Sequence, residues 1–182
     1  DLLMFSDFNY GCLPQGLVES ISAEARKQSV FMTADSQASS QLADVSRFRN
    51  MALLTPTERE ARLALRDTVS GLPVLAAKLR EVATAENVVI TLGEGGMMVH
   101  GRNSNSDYST DRIPALNTTP KDVAGAGDSV FTAASMALCS GADIWLASYF
   151  ASIVAGLQIA RVGNRPITKD EILSEIGQTD QN

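Results

Sequence analysis

The chain has 182 residues, 45% hydrophobic and 20% charged, with a formal net charge of −6 from 15 Lys+Arg against 21 Asp+Glu. That length can bury a real core in one α/β domain, and the composition excludes wholesale disorder. An acidic balance without a long Lys/Arg run argues against nucleic acid or an anionic membrane surface as partner.

In chain order, short apolar runs alternate with helical patterns. Residues 2–5, 30–33, 51–54 and 88–92 are unalternated apolar stretches, as parallel strands covered on both faces require. Between them the spacing predicts helices over 17–27, 57–69 and 73–84, the last with Leu75, Leu79, Val82 and Ala83 on one face. Such alternation implies right-handed crossovers and a largely parallel sheet. After Gly95-Gly96, residues 97–100 are expected to return as a hairpin. The polar stretch 101–111 reads as a surface loop, and Ser36–Gln41, between Asp35 and Asp44, as a loop over the site or a solvated one.

Further on, residues 129–140 and 144–161 are apolar nearly all round and rich in Ala and Ser, the pattern of helices packed on most sides. Thr168-Lys169-Asp170-Glu171 resembles a capping box before a last helix, and 178–182 should fray. The apolar run 145–160 is broken by Ser148, Ser152 and Gln158 and falls short of the ~20 residues of a membrane span. No signal-peptide pattern opens the chain. Cys12 and Cys139 lie far apart without metal spacing, which favours a reducing cytoplasm and two small buried side chains. The first residue, Asp1, opens directly on an apolar stretch, so the chain is expected to begin partway through a larger fold.

The informative segment is Asp122-Val123-Ala124-Gly125-Ala126-Gly127-Asp128-Ser129, a Gly-rich loop running straight into a long apolar helix. Backbone without Cβ atoms approaches a ligand closely, and the N–H groups opening a helix form an anion site. A carboxylate there, Asp128, makes chemical sense as a general base for a hydroxyl that attacks a stabilised phosphoryl group. An N-capping Asp after a Gly-rich turn fits the same spacing, and spacing alone does not choose. A Walker sequence is absent, and the segment lacks the third glycine of a dinucleotide fingerprint.

Asp122–Asp128 followed by Ser129-Val130-Phe131 resembles the C-terminal signature of the ribokinase/PfkB family of carbohydrate kinases, and within it the heptose-phosphate kinases of lipopolysaccharide precursor synthesis. Further segments are similar in the family's order. They are Phe5-Ser6-Asp7-Phe8 with Gly11, Leu54-Thr55-Pro56 with Glu60, Thr91-Leu92-Gly93-Glu94-Gly95-Gly96, and Val162-Gly163-Asn164. The resemblance implies a ribokinase-like α/β fold, a mainly parallel sheet flanked by helices, with residues 1–182 forming the nucleotide-binding and catalytic C-terminal part without the N-terminal part and lid.

It also implies ATP-dependent phosphoryl transfer to a hydroxyl of a sugar or sugar phosphate, with Mg²⁺. Asp128 would be the base, and Gly125, Ala126 and Gly127 the anion hole. Thr91, Gly93, Gly96, Asp122 and Ser152 would lie along the nucleotide, and Glu60 would organise Mg²⁺ through water. Glu60 equally fits a capping box with Thr57, and the two roles do not exclude each other. Departures are Thr57 for the Asn of the family's Asn-x-x-Glu element, Ser152 for an Asn near the adenine, Tyr10 for Lys, and Val123 for Thr.

The resemblance further implies a homo-oligomer or pairing with the missing N-terminal part, and poor activity of the isolated chain. A non-catalytic nucleotide-binding scaffold descended from such a kinase is the competing reading. His100, the single histidine, reads as a locally satisfied residue. Asp7, at a strand's C-terminal end, fits either a ligand contact or a turn cap.

Overall fold

The computed structural model describes residues 1–37, 44–103, 105–117, 119–163 and 165–179. Asn164, most of Ser36–Gln41 and the end of the 178–182 tail lie outside the described residues.

The apolar runs form strands β1 (Leu2–Asp7), β2 (Phe31–Ser36), β3 (Leu53–Leu54) and β4 (Asn87–Thr91), all parallel. The hairpin after Gly95-Gly96 gives β5 (Met97–Arg102), antiparallel to β4, and β6 (Tyr108–Ile113) completes a six-stranded sheet in the order β1-β2-β3-β4-β5-β6. Strand β3 is short because Pro56 follows closely and offers no N–H to a ladder.

Among the described residues six α-helices flank the sheet: α1 (Gln15–Lys27), α2 (Glu58–Leu65), α3 (Leu72–Ala83), α4 (Ala126–Cys139), α5 (Ile144–Ile159) and α6 (Lys169–Thr179). Adjacent residues of a strand face opposite sides, and the two cores follow from this. Leu54, Val88 and Ile90 join Val18 of α1, Ala61 of α2, and Leu75 and Leu79 of α3 on one face. Leu53, Val89, Met97 and Val99 join Val130 and Ala134 of α4 and Ala151 and Val154 of α5 on the other. The helices rich in Ala and Ser pack closely as expected. Buried Ser135 of α4 donates its hydroxyl to Thr33 of β2 at 2.9 Å.

Three expectations are overturned. The stretch 101–111 is not one surface loop, because β5 runs to Arg102 and β6 starts at Tyr108. Its strand is held by stacking instead of an apolar face. The Arg80 guanidinium lies 3.9 Å from the centroid of the Tyr108 ring, and His100 stacks on that ring at 5.6 Å. The predicted helix 57–69 ends at Leu65, since Arg66 adopts φ 50° and the Asp67 carboxylate then accepts from the N–H groups of Val69 and Ser70. Cys12 is exposed, not buried.

His100 is buried, with Nδ1 2.7 Å from the Thr110 hydroxyl. Burial first, and then the Arg80 charge, hold its pKa below the ordinary histidine value. Among the described residues no helix is long and apolar enough to cross a membrane.

Candidate active site

Parallel strands β1 to β4 end on one edge of the sheet, where α/β folds place ligands. At the β4 end, Thr91 pairs with Thr57, and Thr91 N–H donates to Pro56 O at 2.9 Å. Gly96 follows at φ 82°, its α-carbon packed against the backbone of residues 113–115. Arg112 of β6 closes this corner by donating from its guanidinium to Gly95 O at 2.7 and 2.9 Å.

A cavity of about 580 Å³ opens beside this edge. Of the residues expected along the nucleotide, Thr91, Gly93, Gly96 and Ser152 line it, together with Ala126 and Gly127 of the Gly-rich segment. Leu92, Leu116, Val123, Val130 and Ile159 make it largely apolar, as suits a nucleobase. Two of its polar side chains are already engaged. Ser152 Oγ donates to Pro114 O at 3.4 Å, and the Asn117 amide donates to Gly156 O while accepting from Thr119 N–H.

Asp122 does not line this cavity. Its two oxygens accept from Ala124 N–H and Gly163 N–H, both at 3.0 Å, and these bonds depress its pKa. It straps the Gly-rich loop to the turn after α5, which places the matched Val162-Gly163 segment against that loop.

The Gly-rich segment itself ends in Gly125 at φ 77°, the residue that caps α4. Asp128 is therefore the third helical residue and not the cap, so the simpler account of this carboxylate fails. Ala126 N–H turns back to Val123 O at 3.2 Å, whereas among the described residues the N–H groups of Gly125 and Gly127 meet no acceptor. Asp128 and Gly125 lie at one end of a second, mostly apolar groove of about 600 Å³ between α4, α5 and α6.

A third pocket, about 320 Å³, is acidic. Asp35 at the end of β2 and Glu60 of α2 line it, with Thr55, Thr57, Thr91 and Gly127. Glu60 is 7% exposed and completes the capping box. Its Oε2 accepts from Thr57 N–H at 2.7 Å, and Thr57 Oγ1 accepts from Glu60 N–H at 3.2 Å. Thr57 thus serves as helix cap in place of the family's Asn.

Asp35 was legible only as a residue beside a loop, although the end of a parallel strand was a usable signal. It is 7% exposed, and burial first, then the charges of Glu60 and Asp128, push its carboxyl up to about 7. Because the unfolded value is lower, near 3.9, the proton favours the folded state. That contribution is full below pH ~4 and is lost as pH rises toward 7. We expect Asp35→Asn to raise the melting temperature at pH 8 and not at pH 4, an effect on the order of a few kcal/mol. An equal shift at both pH values would show that Asp35 is not held protonated.

Asp7 has a structural role. It is buried, its Oδ2 is 2.6 Å from the Arg47 guanidinium, and its Oδ1 accepts from Asn9 N–H at 3.0 Å.

Residues 2–170 match the model of the pfkB family carbohydrate kinases. The chain belongs to the PfkB family. It is 29% identical over 180 residues to the bifunctional protein HldE of Desulfatibacillum aliphaticivorans and 31% identical over 179 residues to that of Helicobacter hepaticus. In both cases the match covers 97% of this chain and 35% of the relative, so the chain spans about a third of the length of these relatives. Phosphofructokinase-2 of Escherichia coli in complex with potassium shares the fold at a TM-score of 0.80 and 17% identity, over 98% of this chain and 57% of that one. Arabidopsis thaliana ribokinase complexed with ribose and ATP shares it at a TM-score of 0.77 and 16% identity, over 96% and 55%. The expected ribokinase-like fold is therefore the observed one.

Proposed function

We propose that residues 1–182 form the nucleotide-binding and catalytic part of a kinase that transfers the γ-phosphoryl group of ATP to a hydroxyl of a sugar or sugar phosphate. One observation carries this reading. The start of α4 touches three spaces at once, with Gly127 on both the nucleotide cavity and the acidic pocket and Asp128 at the end of the groove.

The nucleoside occupies the cavity beside the end of β4, and its phosphates run toward Gly127. The N–H groups of Gly125 and Gly127, at the positive end of α4, stabilise negative charge on the transferring group. Asp128 accepts the proton of the acceptor hydroxyl. The acceptor oxygen then bonds to the γ-phosphorus, the bond from that phosphorus to the bridging oxygen breaks, and the nucleoside diphosphate leaves with the electron pair.

A divalent cation fits the acidic pocket by the chemistry of its donors. Among the described residues no cluster of three or more ligating side chains exists. Two carboxylates, Asp35 and Glu60, are nevertheless what Mg²⁺ needs when it arrives on nucleotide phosphates and keeps its waters. When bound, the ion would neutralise phosphate charge.

Nucleotide consumption measured against a panel of sugars and sugar phosphates, with the chain and with any longer protein that carries it, tests the reading. Acceptor-dependent production of the diphosphate is expected. Tight ATP binding without transfer to any acceptor would instead establish the nucleotide-binding scaffold. Gly127 offers a sharper probe, because a Cβ there meets nothing within 4 Å and its φ is not in the left-handed range. Gly127→Ala should leave the melting temperature unchanged or slightly higher, by roughly 1 kcal/mol at most, yet weaken ATP binding measurably. Unchanged ATP affinity would remove Gly127 from the phosphate path.

A further inference from the structure

The nucleotide cavity has three charged lining side chains, Glu58, Arg59 and Glu94. Glu58 is paired with Arg62 at 2.7 Å, and Glu94 is exposed. Asp35, Glu60 and Asp128 lie close by, so the surroundings are acidic where a polyanion is expected. Arg59 is the one cation among the described lining residues.

Arg59 is exposed in the first turn of α2 and makes no hydrogen bond or ion pair among the described residues. Helix spacing explains this. Partners on an α-helix stand three or four residues away, and those positions hold Thr55, Pro56, Arg62 and Leu63. Arg62 is a like charge and is itself held by Glu58 and by the carbonyls of Asp67 and Ser70. A cation in this setting does nothing for α2.

Its location is specific. Thr57, Thr91 and Gly127 line both the nucleotide cavity and the acidic pocket, so they form the lip between the two. A phosphate chain passing from the nucleoside to the reacting edge crosses that lip, and Arg59 lines the cavity two residues beyond Thr57. We propose that Arg59 is the side chain that grips the phosphate chain of the nucleotide at this lip, a proposal that rests on the kinase reading above. The planar guanidinium fork binds phosphate oxygens bidentately, a task for which Arg is better shaped than Lys.

The test is calorimetric binding of ATP, ADP, AMP and adenosine to the wild-type chain and to Arg59→Gln and Arg59→Lys. For Arg59→Gln, ATP affinity should fall about 10- to 100-fold, the range of a hydrogen bond to a charged group. Adenosine affinity should stay unchanged, and Arg59→Lys should recover part of the loss. The dependence of ATP affinity on salt should also weaken in Arg59→Gln. Equal losses for ATP and adenosine would assign Arg59 to packing and overturn the proposal, as would unchanged ATP affinity. If Arg59→Gln lowers the melting temperature, the ratio of ATP to adenosine affinity decides, and a wild-type ratio in Arg59→Gln overturns it. A wild-type chain that binds neither ATP nor adenosine would overturn the kinase reading itself, a result distinct from either failure of Arg59.

Discussion

Asp128→Asn is expected to lower phosphoryl transfer about 10²- to 10⁴-fold while changing ATP affinity only a few-fold, because a positioned general base contributes roughly that range. The substitution keeps the shape of the side chain and removes its proton affinity. As the third residue of α4, Asp128 does not cap the helix, so Asn at that position costs the fold little. A second effect follows from the same change. The Asp128 charge is one of those that hold the proton on Asp35, so the variant should also titrate Asp35 at lower pH. Steady-state rates across pH 5–9, beside ATP binding, check both. Transfer that survives at more than about a tenth of the wild-type rate would exclude Asp128 as base.

The largest effect on stability is expected from Gly96→Ala. Gly96 adopts φ 82° and ψ −126°, a region open almost only to glycine that costs an L-residue roughly 1–3 kcal/mol. The added Cβ would overlap Ile113 O and stand 2.6 Å from Ala115 N and 2.7 Å from Pro114 C. All three are backbone atoms, so no side chain can swing aside. The loss should exceed about 3 kcal/mol, in the range that single substitutions reach only through overpacking or backbone strain. Gly93→Ala is the control, since φ is 58° there but nothing lies within 4 Å of the added carbon. Thermal unfolding of the two variants should separate clearly. Equal losses would mean that backbone strain alone accounts for Gly96. Gly96 thus belongs to the cavity's frame, whatever else it touches.

Much of this molecule was legible in its sequence for a simple reason. Strands such as 88–92, buried on both faces, leave an unbroken apolar run that no surface element imitates, and the helices rich in Ala and Ser declare close packing. Strand β6 was illegible because Tyr108, Thr110 and Arg112 are polar, and its stabilisation comes from rings and guanidinium groups contributed by β5 and α3. The Gly-rich segment marked the start of α4 at the edge of the cavity because its geometry is local. Asp35 and Arg59 stayed hidden because their meaning arises where β2, α2 and α4 converge, and no spacing along the chain encodes that convergence. Asp122 shows the reverse: it lies within the motif, yet its carboxylate serves the loop and not the cavity.

The order of strands across the sheet repeats their order along the chain. Each strand can therefore dock on the one completed just before it, and pairings that close only short loops form readily. The exception is α4, whose Ser135 reaches back to Thr33 across 102 residues. That contact closes a long loop, and the helix that makes it is the one that carries Gly127 and Asp128. The end of the molecule that holds the proposed site is thus the part tied to the sheet by contacts between residues distant in sequence.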